Sequence, residues 1–307
     1  MTREDFYFDS RDGVNKIHAV RWIPAGDPVA VLQIIHGMCE HVDRYEDFAK
    51  YMCEKGFLVT ANDHLGHGKS IVDNCPGYFT DKNPANVVIR DVHRLKKLTE
   101  EKYNHKPYFV LGHSMGSFIL RNYLFRYGKG ITGAIVMGTG MEPHVKILSM
   151  EMLSSLGCLF GKAKSHNLFI TKQGFGTYLK KIDNPRTQSD WLTKREDIVD
   201  KYIADPLSGF LFTNNGYKTL SELLLPLYKK KNIEKIPVTL PVLIVSGTED
   251  PVGEYGKAPK ALYESFKKTG MQKVTLKLYE GDRHEVLNET DNETVYSDIY
   301  TWITENK

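Results

Sequence analysis

The chain carries Gly112-His113-Ser114-Met115-Gly116 between two very different stretches. Tyr108-Phe109-Val110-Leu111 before it is short, apolar and rich in β-formers, while Ser117 to Leu124 after it reads as a helix. A G-x-S-x-G pentapeptide recurs by chance, but one set at a strand-to-helix turn carries a mechanism. The turn is sharp. Its serine is held in a strained conformation with the hydroxyl exposed at the strand end, and the flanking glycines avoid Cβ clashes between strand and helix. The helix start adds free N–H groups and a positive dipole end beside Ser114, which suit a developing oxyanion. Ser114 is the candidate nucleophile, and the rest of the chain must build the sheet on which it stands.

The hydrophobic pattern supplies that sheet. Residues 4–10 and 14–23 alternate around Asp12-Gly13, the signal of a tight hairpin. Val29 to Ile35 is a near-continuous apolar run, as befits a strand covered on both faces, and ends at His36-Gly37-Met38. Tyr45, Phe48, Ala49 and Met52 follow a helical period that Gly56 stops. Phe57 to Ala61 is a strand running into Asp63-His64-Leu65-Gly66-His67-Gly68-Lys69-Ser70, and Val88, Val92, Leu95 and Leu98 mark a long helix. Ile131 to Met137 is a further strand.

The alternation then breaks from about residue 141 to 236, where no clear strand is found. It restarts with the strand Pro241 to Gly247, a helix near 256–269, the strand Val274 to Tyr279, and a last helix bearing Val295, Ile299, Trp302 and Ile303. Alternating strands and helices imply an α/β fold with a mostly parallel sheet flanked by helices and an antiparallel hairpin at its edge. The expected division is a core of residues 1–140 and 237–307 and a helical cap of residues 141–236. Such an insertion sits at the carboxyl ends of the strands, where open α/β sheets bind ligands. A length of 307 residues suits this plan.

A serine hydroxyl needs a base to take its proton and a third group to hold that base. In this architecture they follow in the order serine, acid, histidine. The restarted strand ends in Gly247-Thr248-Glu249-Asp250-Pro251, and the next ends in Gly281-Asp282-Arg283-His284-Glu285. His284 alone among the histidines follows Asp250. The candidate triad is Ser114, Asp250 and His284, with Glu249 and Asp282 as neighbouring alternatives for the acid. The oxyanion requires two backbone donors. One is the N–H of Met115, directly after the nucleophile; the other is expected from the loop after the strand ending at Ile35, where Gly37 lets the backbone turn, and the Met38 N–H is the candidate. The chemistry is nucleophilic acyl transfer with no cofactor and no metal.

Other features are better explained as structure. The net charge of +3 is small and dispersed, which argues against nucleic acid. The N-terminus lacks the apolar run of a signal peptide, so a cytoplasmic protein is expected. Cys39, Cys53, Cys75 and Cys158 form no C-x-x-C pair and read as reduced, mostly buried thiols. Gly68-Lys69-Ser70 resembles the end of a phosphate-binding loop, but the first glycine of that pattern would fall on Asp63. Asp63, His64 and His67 read as a loop brace rather than metal ligands. His113 reads as packing. The apolar run Val145 to Phe160 reads chiefly as cap core, with an acyl pocket or transient membrane-surface contact as the other uses of such a stretch. Leu220 to Leu227 before Lys229-Lys230-Lys231 raises the same choice.

Three segments together resemble one family. His36-Gly37-Met38-Cys39-Glu40-His41 with Arg44-Tyr45, then Asp63 to Ser70, then Gly112 to Gly116, look like the α/β-hydrolase family of monoacylglycerol lipases and bacterial lysophospholipases, the serine aminopeptidase-like hydrolases. The resemblance implies an eight-stranded core with a helical cap, no cofactor, and hydrolysis of acyl esters. Where that family commonly has glycine, this chain has Cys39. The reading is a serine carboxylester hydrolase for a small-molecule acyl ester, of monoacylglycerol or lysophospholipid type. A peptidase or amidase with the same triad is the alternative, and a non-catalytic binding protein on the same fold is a more distant one. An epoxide hydrolase or dehalogenase would want an acid at position 114.

Overall fold

The computed structural model describes residues 1–307. Its sheet is built from β1 (Thr2–Asp9), β2 (Lys16–Ile23), β3 (Ala30–Ile35), β4 (Phe57–Asn62), β5 (Tyr108–His113), β6 (Gly133–Met137), β7 (Val242–Gly247) and β8 (Val274–Tyr279). The spatial order is β1-β2-β4-β3-β5-β6-β7-β8. From β4 to β8 every pairing is parallel, while β2 pairs antiparallel with both β1 and β4. The helices are α1 (Glu46–Glu54), α2 (Pro84–Lys102), α3 (Met115–Tyr127), α4 (His144–Leu159), α5 (Leu168–Phe175), α6 (Glu196–Ala204), α7 (Asn214–Leu224), α8 (Lys230–Ile233), α9 (Lys257–Lys268) and α10 (Asn292–Glu305). Thus α4 to α8 all fall between β6 and β7. No helix is long and apolar enough to cross a membrane.

The central strands are apolar throughout because both faces are covered. Every residue of β3, β4, β5, β6 and β7 is buried. Val31, Val110, Val136 and Ile244 point to one face and pack with side chains of α2, α3 and α9. Leu32, Leu111, Ile135 and Val245 point to the other and pack with Phe48 and Met52 of α1 and Ile299 and Trp302 of α10. Parallel pairing also brings the carboxyl ends of β3 to β8 to one edge, and the loops leaving that edge carry the candidate residues.

Two expectations need correction. The first hairpin does not turn on two residues: Asp9 and Lys16 close it, with Ser10 to Asn15 as the loop. Asp12 folds the loop by accepting the amides of Val14 and Asn15, each at 2.9 Å, and Gly13 takes φ 82°. Asp91 of α2 then draws the loop inward, accepting from Ser10 Oγ at 2.8 Å and the Arg11 amide at 2.6 Å. Second, only Cys39 and Cys53 are buried; Cys75 and Cys158, in the loop before α2 and at the end of α4, are half-buried.

Candidate active site

At the end of β5 the chain turns through Ser114 with φ 53° and ψ −120°, a conformation that costs a residue bearing Cβ about 1–3 kcal/mol. The Ser114 amide donates to the Met137 carbonyl at 3.0 Å, and its own carbonyl accepts from Ser117 N–H at 2.9 Å. These bonds pin the turn between β6 and the start of α3. The hydroxyl makes no hydrogen bond to a protein group.

Asp250 leaves the end of β7 fully buried. Its Oδ1 lies 2.9 Å from His284 Nδ1 and accepts the Val252 amide at 2.8 Å. Burial pushes the carboxyl pKa up, but the charge of His284, its hydrogen bond and the amides of Val252 and Gly253 outweigh burial and hold it below the ordinary value. An ionised Asp250 accepts Nδ1–H and leaves Nε2 of His284 with the lone pair a base needs. The other acids stand elsewhere. Glu249 points to solvent toward Lys194 Nζ at 3.6 Å. Asp282 makes no hydrogen bond to His284, and burial with Asp291 and Glu289 beside it pushes its pKa up to about 7.

His284 sits in the loop after β8 with 2% exposure, its ring 5.1 Å from that of Trp191 and 4.8 Å from that of His113. Ser114 and His284 line one cavity of about 570 Å³ between the strand ends and the helices that follow β6. No hydrogen bond joins Ser114 Oγ to His284 Nε2; such contacts commonly tighten only when substrate arrives.

The loop after β3 closes over Ser114. A Cβ added at Gly37 would come within 3.1 Å of Ser114 Cβ, so the backbone leading to Met38 passes directly above the serine. The Met38 N–H has no protein acceptor. That of Met115, first in α3, has no carbonyl one turn back. Both amides are thus free to donate to an oxyanion. Cys39 follows in the left-handed region at φ 57°, where glycine would sit without strain, and its carbonyl accepts Gly209 N–H at 3.0 Å.

Asp63 braces this end of the sheet. Its carboxylate accepts the Val42 amide at 3.0 Å and the Lys69 amide at 2.9 Å, and pairs with His18 Nδ1 at 2.8 Å. The His64 amide donates to His36 Nε2 at 3.0 Å, and His67 packs on Phe79, Phe210 and Phe212. The apolar run of α4 is not chiefly core: Ile147, Met150 and Leu153 line the cavity, while Val145, Leu148, Met152, Leu156 and Leu159 face outward. One helix serves two apolar surfaces, which is why its pattern exceeds one face. Leu220 and Leu224 of α7 also line the cavity, and Leu223, Leu224 and Leu227 are core. Glu40, Arg44 and Glu285, to which the sequence assigns no role, and His113, which reads there as packing, bond to one another along one wall of the same cavity. The signal for them in the sequence is an acid directly after His284 and two charged residues beyond the apolar strand that ends at Ile35.

The family model described as serine aminopeptidase, S33 matches residues 26–291. The chain is 27% identical over 305 residues to the monoacylglycerol lipase of Mycolicibacterium smegmatis, covering 98% of this chain and 97% of that protein. It is 28% identical over 287 residues to the monoglyceride lipase of Rattus norvegicus, covering 92% and 85%. Its fold superposes on a thermostable carboxyl esterase from Bacillus coagulans, solved in complex with glycerol. The TM-score is 0.92, with 31% identity over 100% of this chain and 99% of that one. With the sheet order, the serine turn and the extent of that match in agreement, the chain belongs to the serine aminopeptidase S33 family of α/β-hydrolases and is a serine hydrolase.

Proposed function

We propose that the chain is a carboxylester hydrolase for acyl esters of monoacylglycerol or lysophospholipid type, working through an acyl-enzyme on Ser114. The observation that carries this reading is the cavity: Ser114 and the Asp250-held His284 open onto a largely apolar space large enough for an acyl chain. The similarity to monoacylglycerol lipases supports it. Ser114 Oγ attacks the acyl carbonyl while His284 Nε2 takes its proton. The Met38 and Met115 amides hold the oxyanion, and His284 returns the proton to the leaving alcohol. Water then repeats the cycle on the acyl-enzyme. Residues 141–236 act as the cap and residues 1–140 and 237–307 as the core.

The amidase alternative is the weaker one. An aminopeptidase needs a free carboxylate for the substrate ammonium. The carboxylates lining this cavity are already engaged: Glu40 and Glu285 with Arg44, and Glu142 with Lys146 at 2.7 Å. Purified protein is expected to turn over p-nitrophenyl esters, monoacylglycerol and lysophospholipid, and a fluorophosphonate is expected to label Ser114 by mass. Faster cleavage of aminoacyl p-nitroanilides than of any ester would reverse the ranking.

The outward face of α4, with Phe160, Leu168 and Phe169, exposes large apolar side chains beside cavity-lining residues. We propose that this face touches a lipid surface transiently. The protein is then expected to co-sediment with phosphatidylcholine vesicles, and Leu148→Ser/Met152→Ser to abolish this while sparing hydrolysis of short soluble esters. Equal sedimentation of the variant and the parent would refute it.

A further inference from the structure

Two buried carboxylates and a half-buried arginine connect the separate loops of the site. Glu40 lies on the loop after β3, Glu285 directly follows His284, and Arg44 reaches both. Arg44 Nη1 donates to Glu40 Oε2 at 2.9 Å, and Nη1 and Nη2 donate to the two oxygens of Glu285 at 2.6 and 2.7 Å, a bidentate fork. The other oxygen of Glu40 accepts the Gly37 amide at 2.5 Å and Tyr45 OH at 2.8 Å, and lies 3.1 Å from His113 Nδ1. His113 Nε2 faces the carbonyl of His284 at 3.4 Å. The Arg44 guanidinium lies over the Tyr202 ring at 4.8 Å, and the Glu285 amide donates to Leu192 at 2.7 Å. Gly37 precedes Met38, His113 precedes Ser114, and Glu285 follows His284. The chain neighbours of three members of the proposed machinery therefore meet on one ion pair, Gly37 and His113 on Glu40 and Glu285 on Arg44.

The surroundings favour the charged forms. Burial alone would push both carboxyls toward neutrality. Against it, Arg44 holds Glu285 low, the His113 contact and the charges of His113 and Arg44 hold Glu40 well below the carboxylate range, and both acids keep Arg44 charged. Such a network is a poor way to gain stability, because desolvating each ion costs several kcal/mol and apolar side chains of the same volume would do as well or better. What apolar packing cannot supply is direction: a planar fork on a carboxylate fixes two groups in distance and angle.

We propose that Arg44 is a positioning residue, whose fork on Glu285 sets the backbone presenting His284 relative to the loop carrying the Met38 amide and the turn carrying Ser114. This rests on the reading of Ser114, Asp250 and His284 given above. A misplacement of about 1 Å between base and nucleophile costs about a hundredfold in rate. Because the fork acts on geometry formed before substrate arrives, its loss falls on kcat and on the rate of Ser114 phosphonylation, with KM little changed.

Glu285→Gln tests this without leaving a buried charge unpaired, since Arg44 keeps Glu40 while one acceptor of the fork becomes a donor. Its kcat on p-nitrophenyl butyrate is expected to fall between about tenfold and a hundredfold, with a melting point somewhat lowered but still above the assay temperature and an equal fall in fluorophosphonate labelling rate. Arg44→Met is expected to fall at least as far, and Arg44→Met/Glu285→Leu no further than Arg44→Met alone, because both act through one contact. Arg44→Lys restores a charge but not a fork and is expected to recover only part of the loss. Wild-type kcat in a folded Glu285→Gln protein would overturn the proposal. So would a rise in KM at constant kcat, which would make Arg44 a substrate contact. Ser114→Ala separates the two levels: an active Ser114→Ala removes the triad reading itself, whereas an inactive one beside an unimpaired Glu285→Gln removes only the clamp.

Discussion

Ser114→Ala is expected to leave a folded protein whose kcat on acyl esters is lower by at least about a thousandfold. The hydroxyl has no protein hydrogen-bond partner, so its removal orphans nothing. Alanine keeps the Cβ that φ 53° strains, so stability should barely move. The strain itself gives a second, opposite expectation. Ser114→Gly removes the Cβ, and the about 1–3 kcal/mol held in this turn exceeds the about 0.5–1 kcal/mol that glycine adds to the unfolded chain. Ser114→Gly should therefore melt above Ser114→Ala while being equally inactive. A gain in stability with a loss of activity at one position marks a residue kept strained for its chemistry. Initial rates on p-nitrophenyl butyrate and thermal melts of the three proteins check both statements. Near-normal ester turnover by Ser114→Ala would end the nucleophile assignment.

What the sequence could say about this fold depended on how local the physics was. Val29 to Ile35 reads as a covered strand because each of its side chains meets a helix layer, and β3 is buried at all six residues. Strand ends in a parallel sheet share one edge, so order along the chain was enough to bring Asp250 and His284 into one neighbourhood. It was not enough to choose between adjacent acids: Glu249 and Asp250 differ only in which way the loop turns them, one to Lys194 and one to the imidazole. The first hairpin was misread for a similar reason. Its loop length is set by Asp91, some 80 residues away, which no local turn rule contains. The link from Arg44 to Glu285 spans 241 positions and is invisible to any periodicity. The surplus apolar residues of α4 were legible as surplus, but only the cavity on one side and open surface on the other explain it.

Gly116→Ala tests how tightly the Ser114 turn is built into the sheet. A Cβ on Gly116 would stand 2.0 Å from the Ile35 carbonyl oxygen and 2.6 Å from that of His36. The obstacle is backbone at the end of a central strand, so no side chain can rotate away. Relief requires β3 and the first turn of α3 to separate by the better part of a methyl group. Overpacking in a well-filled core costs about 1–3 kcal/mol when side chains can adjust; with backbone on both sides the expected loss is at the upper end or beyond. The same separation draws the loop bearing Met38 away from Ser114, so any surviving folded fraction should also be slow. Gly174→Ala is the matched control. It lies in the last turn of α5, has nothing within 4 Å of the added Cβ and no positive φ, and is expected to melt with the parent protein or slightly above it. Thermal melts and soluble yield of the two variants read the difference. If both melt with the parent protein, the close approach of β3 to α3 does not constrain the turn, and the free Met38 amide loses its structural support.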